Sequence, residues 1–528
     1  MVQVERPGGT APPTRTPADR GWSLDLTASG RVGAGLTAVL VVSLLAPAAT
    51  LAAGYDPATD VNSMYNTTAY TGATAWWNAG FTGAGVDVAV IDTGVSPVEG
   101  LATAGKIVYG PDLSLESQAP DLRNLDTNGH GTFMAGLIAG RDGDLAAPYA
   151  DGPSSAYRGM APDARIVSVK VGVADGGTDV SQVIAAIDWV VQHKNDNDLN
   201  IRVINLSYGT NSAQASTIDP LSYAAEQAWK AGIFVVAAGG NYGFQSHMNN
   251  APALANPAID RYVMAVGSSD SMGTMTIADD SVPAFSPWPK RGATRGVNLV
   301  APGVHIQGLR VPNSFIDLHY PEGQIGGRYF RGSGTSESAA IVSGAAALLL
   351  QKYPSAKPDR IKALLTSTGY EIDGKSQAIG GGLLQLGSAL ATALPISIQT
   401  WPPSTGIGSL EAARGEDHLT RDGVVLTGEQ DIFGASFDSV TMAALEAAGN
   451  SWSGGTWNGN SWSGSSWSGS SWSGHSWSGS SWSGSSWSGS SWSGNSWSGS
   501  SWSGSSWSGS SWSGSSWSGN SWSTAGWD

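Results

Sequence analysis

Residues Val86–Val95 read VDVAVIDTGV. The first part, Val86–Ile91, reads as a buried strand. It ends on a carboxylate, Asp92, and then on Gly94, where the chain can turn. Further runs of the same kind follow: Arg165–Val171 (RIVSVKV), Ile201–Ser207 (IRVINLS), Ile233–Ala238 (IFVVAA) and Tyr262–Val266 (YVMAV). Continuous Val- and Ile-rich runs are what a parallel sheet covered on both faces requires. Between them lie helical periods. In Ser181–Lys194 the residues Val183, Ile184, Ile187, Val190 and Val191 make one apolar stripe. Glu337–Leu350 is apolar nearly all round and should be a buried helix. The alternation predicts an α/β fold, a doubly wound, mostly parallel sheet sandwiched by helices, with any site at the carboxyl ends of strands.

The 528 residues divide by composition. Residues 1–52 read as a signal sequence with a long polar start. The apolar run Leu36–Ala46 (LTAVLVVSLLA) is followed by small residues that suit cleavage after Ala48 or Ala52. That run is shorter than the roughly 20 residues a membrane span needs, so secretion is the expectation. Residues 53–75 read as a short linker, 76–393 as the α/β domain and 394–450 as an extension or linker, with a weak helix near Ser439–Ala448. From Ser451 to the end the chain repeats SWSGx with period five, and 16 of the 23 tryptophans sit there. Period five fits neither helix nor strand. A flexible, sticky tail, a stacked solenoid and a module touching cell wall or polysaccharide through its Trp rings all remain open for this segment.

Composition excludes several classes. The net charge is −15 with no Lys- or Arg-rich run, which argues against nucleic acid or an anionic membrane as partner. There is no cysteine, so disulfides, thiol nucleophiles and Cys-ligated zinc are excluded. His193, His247, His305, His319 and His418 have no metal-like spacing, and no metal site is predicted.

Three short motifs carry chemistry. Asp92 closes the first strand. Asn128-Gly129-His130-Gly131-Thr132 opens an apolar helix. Gly332-Ser333-Gly334-Thr335-Ser336-Glu337-Ser338 opens the buried helix. An Asp-Thr-Gly alone also suits an aspartic protease, but that chemistry needs two such carboxylates and the chain has one such motif. Together the motifs supply a hydroxyl nucleophile, a base and a carboxylate to orient the base. A serine at a helix N-terminus also has backbone N–H groups and the helix dipole aimed at a developing oxyanion.

In these motifs and their order the sequence resembles the subtilisin family of serine proteases, over residues 75–393. The resemblance implies Asp92 as orienting carboxylate, His130 as general base and Ser336 as nucleophile. It further implies that Asn241, which ends Ile233–Asn241 (IFVVAAGGN), is the oxyanion donor, and that the backbone of Ser207, Tyr208 and Gly209 pairs with polypeptide substrate. Gly159-Met160-Ala161-Pro162 and Val300-Ala301-Pro302-Gly303 match as well. The pocket walls, Ser207–Gly209 and Ala237, Ala238 and Gly239, are small and uncharged, which suits an apolar side chain before the cut bond. No cofactor is required; structural calcium belongs to the resemblance, but the sequence does not place it. A secreted serine endopeptidase is thus the expectation, with a tail-borne binding function as the rival.

The sequence also departs from the family. Where the family pattern continues after its nucleophile with Met, Ala, a variable residue and Pro, this chain has Glu337, Ser338, Ala339 and Ala340. Replacing Pro by Ala340 should let the helix run regularly. Glu337 is either a solvated residue of the first turn or a charge that raises the pKa of His130. Only about 20 residues separate the predicted cleavage site from the domain, so a large folding propeptide is not expected.

Overall fold

A computed structural model describes residues 54–461, apart from 118, 120, 244–253, 289–294, 375 and 422–423, together with short backbone strands of the repeat between Trp477 and Ser513. The predicted signal sequence and most of the repeat lie outside the described residues.

The centre is a seven-stranded sheet in the order β2-β3-β1-β4-β5-β6-β7, with every neighbouring pair parallel. Its strands are β1 (Asp87–Asp92), β2 (Ile107–Asp112), β3 (Arg165–Lys170), β4 (Ile201–Leu206), β5 (Phe234–Ala238), β6 (Met264–Ser269) and β7 (Leu299–Pro302). Each of the predicted strands is present. The sequence reading missed β2 because an edge strand of half-buried residues interrupted by Gly110 and Pro111 carries no continuous apolar run. It missed β7 because four residues are too few to show a period.

Winding reverses at β1. From β1 the chain goes to the edge strand β2, returns inward to β3, then crosses β1 to β4 and proceeds to β7 on the other side. A crevice must open between the carboxyl ends of β1 and β4, where crossovers leave in opposite directions.

Helices cover both faces: α1 (Met64–Tyr70), α2 (Ala73–Asn78), α3 (His130–Ala139), α4 (Val180–His193), α5 (Pro220–Lys230), α6 (Phe315–His319), α7 (Thr335–Lys352), α8 (Pro358–Ser367), α9 (Ser376–Ile379) and α10 (Leu386–Ala391). Helix α7 packs on β4–β7 and α3 and is buried from Thr335 to Leu350, which is why its sequence shows no polar face. It passes through Ala340 without interruption. Residues 53–75, read from sequence as a linker, are folded from Met64 onward. Met64 and Trp76 are fully buried, and Trp76 Nε1 donates to the Leu386 carbonyl at 2.7 Å.

A small antiparallel sheet of β8 (Ile306–Leu309), β9 (Gln324–Ile325) and β10 (Tyr329–Gly332) leads into α7. The extension then returns across α4 and α5 through α11 (Leu410–Arg414), β11 (Thr420–Arg421), β12 (Val424–Val425) and α12 (Ser439–Ala447). Arg414 Nε donates to Asp179 Oδ2 at 2.6 Å with both side chains fully buried, and Asp179 is itself the N-cap of α4.

The start of the repeat is ordered as β13 (Trp452–Ser453), β14 (Thr456–Trp457) and β15 (Asn460–Ser461), an antiparallel meander. Its turns are Gly454-Gly455 and Asn458-Gly459, all with positive φ. Positive φ at both central residues is the type I′ pattern that two-residue hairpins prefer. The first hairpin sets Trp452 opposite Trp457.

Candidate active site

Asp92 is the last residue of β1 and lies at the crevice between β1 and β4, fully buried. Its Oδ1 accepts from the Thr93 backbone N–H at 2.8 Å and hydrogen-bonds His130 Nδ1 at 2.8 Å. Burial pushes the Asp92 carboxyl above its ordinary value, and His130 with Thr93 offsets this only in part.

His130 is the first residue of α3 and is fully buried. Its position requires α3 to press against the end of β1. Gly131 makes this contact: a Cβ there would meet the Gly94 carbonyl oxygen at 2.1 Å. Gly94 in turn has φ +111°, a turn that an L side chain rarely adopts. With Nδ1 donating to Asp92, Nε2 becomes the proton acceptor of the ring. Burial pulls the imidazole down; the charge and hydrogen bond of Asp92, aided by Glu337 and Asp126, more than offset this, so His130 sits above the ordinary histidine value.

Sequence reasoning passed over Asp126. It is buried, and its carboxylate gathers the whole α3 start. Oδ1 accepts from the Gly129 N–H at 2.6 Å and from Thr93 Oγ1 at 2.8 Å, and Oδ2 accepts from the Thr132 N–H at 2.7 Å. Thr93 Oγ1 also accepts from the Gly131 N–H at 3.0 Å. Asp126 lies three residues before the N-cap position of α3, Gly129, so the ordinary capping pattern does not single it out.

Ser336 is the second residue of α7 and is 2% exposed. Its Oγ donates to the Ser207 carbonyl at 3.4 Å, while Ser207 Oγ donates back to the Ser336 carbonyl at 3.1 Å. Beyond β4, Ser207 is held by Asn205 Nδ2 at 3.0 Å, and Asn205 Oδ1 accepts from Ser343 Oγ at 2.9 Å on α7. Tyr208 is buried, and a Cβ on Gly209 would meet Ala255 Cβ at 2.6 Å. The segment Ser207–Gly209 therefore runs past the N-terminus of α7.

Asn241 follows β5. Its Oδ1 accepts from the Thr335 N–H at 2.9 Å and Thr335 Oγ1 at 3.0 Å, which fixes the amide against the start of α7. Gly240 N–H donates to Thr335 Oγ1 at 3.1 Å. Ala237 is fully buried within β5, Ala238 is 5% exposed at its end, and Gly239 N–H pairs with the Val266 carbonyl at 2.8 Å.

Glu337 is not the solvated cap residue that the sequence allowed. It is fully buried behind Ser336, and burial, opposed by His130, pushes its carboxyl up to about 7. Among the described residues no group of three or more His, Asp or Glu side chains could hold a metal ion.

Compared with known proteins, residues 83–383 match the Subtilase family, Peptidase S8. Serine protease AprX of Bacillus subtilis is 38% identical over 293 residues, which are 54% of this chain and 61% of that protein; the match thus spans less than two thirds of its length. Subtilisin BL of Lederbergia lenta is 32% identical over 317 residues, 60% of this chain and 95% of that protein. Among solved structures, fervidolysin from Fervidobacterium pennivorans, a keratinolytic enzyme related to subtilisin, is 25% identical with a TM-score of 0.48, covering 65% of this chain and 48% of that one.

Proposed function

The chain belongs to the subtilase family, and from that premise we propose that it is a secreted serine endopeptidase acting through Asp92, His130 and Ser336. Ser336 Oγ attacks the substrate carbonyl as His130 Nε2 takes its proton. Asp92 holds the ring in the required tautomer and stabilises the imidazolium that forms. The Asn241 amide and the Ser336 backbone N–H receive the oxyanion, and water then releases the acyl-enzyme. Polypeptide substrate lies along Ser207, Tyr208 and Gly209 as an added strand, and the small residues at Ala237, Ala238 and Gly239 favour an apolar side chain before the cut bond.

The observation that carries this reading is the buried 2.8 Å hydrogen bond between His130 Nδ1 and Asp92 Oδ1 at the crevice where α7 begins. Secretion follows from the apolar run at Leu36–Ala46 and the small residues after it.

Reaction of the purified full-length chain with a fluorophosphonate probe tests it, with Ser336→Ala as control and intact mass as readout. Labelling of the parent alone is the expected result. A folded parent that stays unlabelled would overturn the reading and move the function to the Trp-rich repeat.

A further inference from the structure

Glu337 is a carboxyl that the mechanism above does not use, placed in the sequence next to its nucleophile. It is fully buried, and among the described residues no neighbour donates a hydrogen bond to either of its oxygens; only its own backbone N–H is near. An ionised carboxylate without partners in such a place is costly, so the group must either keep its proton or face a cation. The charged groups that act on it are His130 at the start of α3 and Asp92 at the end of β1, and Asp126 also acts on the imidazole. The strands packed on the same helix offer neutral groups, among them Asn205, Ser207 and Ser268. The imidazolium form of His130 is therefore the cation that an ionised Glu337 has available.

We propose that Glu337 is a positioning residue for the proton on His130, an unpaired buried carboxyl whose ionisation holds the general base protonated to higher pH and so sets the acidic limit of the enzyme's working range. The proposal rests on the Asp92–His130–Ser336 reading. While Glu337 keeps its proton, His130 can be neutral and can accept the proton of Ser336. When Glu337 gives its proton up, the preferred acceptor is His130, and the pair is trapped in a form that cannot act as base. Burial lifts the Glu337 carboxyl to about 7, and its negative charge is one of those that raise His130.

The sign is definite. A negative neighbour raises an imidazole's pKa, so removing it must lower that pKa. The test is the pH dependence of the fluorophosphonate acylation rate of the full-length chain, compared with Glu337→Gln and Glu337→Met. Both variants should move the acidic limb to lower pH, by about one unit. The Met variant keeps the readout if the amide packs poorly. A purely structural role would lower the rate at every pH and leave the limb in place, which would overturn the proposal while the triad stands. A parent unlabelled at any pH would overturn both.

Discussion

At the scale of single residues, Asn241 has two duties that separate cleanly. Its Oδ1 closes the first N–H of α7, and its amide nitrogen is the donor proposed for the oxyanion. Asn241→Ala loses both, and Asn241→Asp keeps the acceptor and loses the donor. Both should lower kcat by about 10²–10³-fold, but only the Ala variant should also lower the melting temperature. Steady-state kinetics and calorimetry on the pair decide it. Asp126 makes a different prediction, because a carboxylate accepts at both oxygens and an amide at one. Asp126→Asn leaves the Thr132 N–H or the Gly129 N–H without its acceptor. A buried unsatisfied donor costs about 1–3 kcal/mol, to be read as reduced stability in denaturant unfolding.

At the scale of elements, the first repeats are part of the folded domain and not merely a tail. Trp452 Nε1 donates to the Ala185 carbonyl at 2.8 Å, and Trp457 Nε1 donates to Asp188 Oδ2 at 2.7 Å, both on α4. Trp457 is fully buried and lies 5.9 Å from the Phe437 ring, centroid to centroid. Truncating such a side chain to Ala costs about 3–5 kcal/mol. Deletion of 462–528 should therefore leave the melting temperature nearly unchanged, whereas deletion of 451–528 or Trp457→Ala should lower it clearly. Equal melting temperatures for the two deletions would contradict this docking.

At the scale of the whole molecule, the extension rests on buried acids. Asp188, beneath Trp457, is pushed up to about 7 by burial, and the neighbouring Glu446 is pushed well above the carboxylate range by burial and by Asp188. Glu226 on α5 accepts from the Ser404 N–H at 2.7 Å and is pushed up to about 7 by burial and by Asp260. Each binds its proton more tightly folded than unfolded. That stabilisation is complete below the unfolded carboxyl range, about 4, and for Asp188 and Glu226 is lost as pH rises through about 7. Melting temperature should fall between about pH 5 and about pH 7, with hydrogen exchange over 404–457 accelerating first. Asp188→Asn should flatten the fall, because the amide has no proton to lose.

Much of the fold was legible because its signals are local. A buried parallel strand must be apolar along its whole length, so β1, β3, β4, β5 and β6 announce themselves, and α7 does so by lacking a polar face. The order of Asp92, His130 and Ser336, each at a strand end or helix start, pointed to acyl transfer for the same reason. What depends on distant partners was not legible. Asp126 acts through Gly129, Thr132 and Thr93, whose meeting follows from how α3 lands on β1. A glutamate in a first helical turn reads more readily as a solvated cap residue, and the packing of α7 under the sheet made Glu337 buried. The pentapeptide repeat gave a period but no surface to rest on, and α4 supplied one for Trp452 and Trp457. Sequence alone determined the buried strands β1, β3, β4, β5 and β6 and the buried helix α7, and supplied the residue types proposed for catalysis, because these follow from short-range chemistry. Tertiary structure decided which polar groups lost their water, because burial belongs to the surfaces that close around a residue.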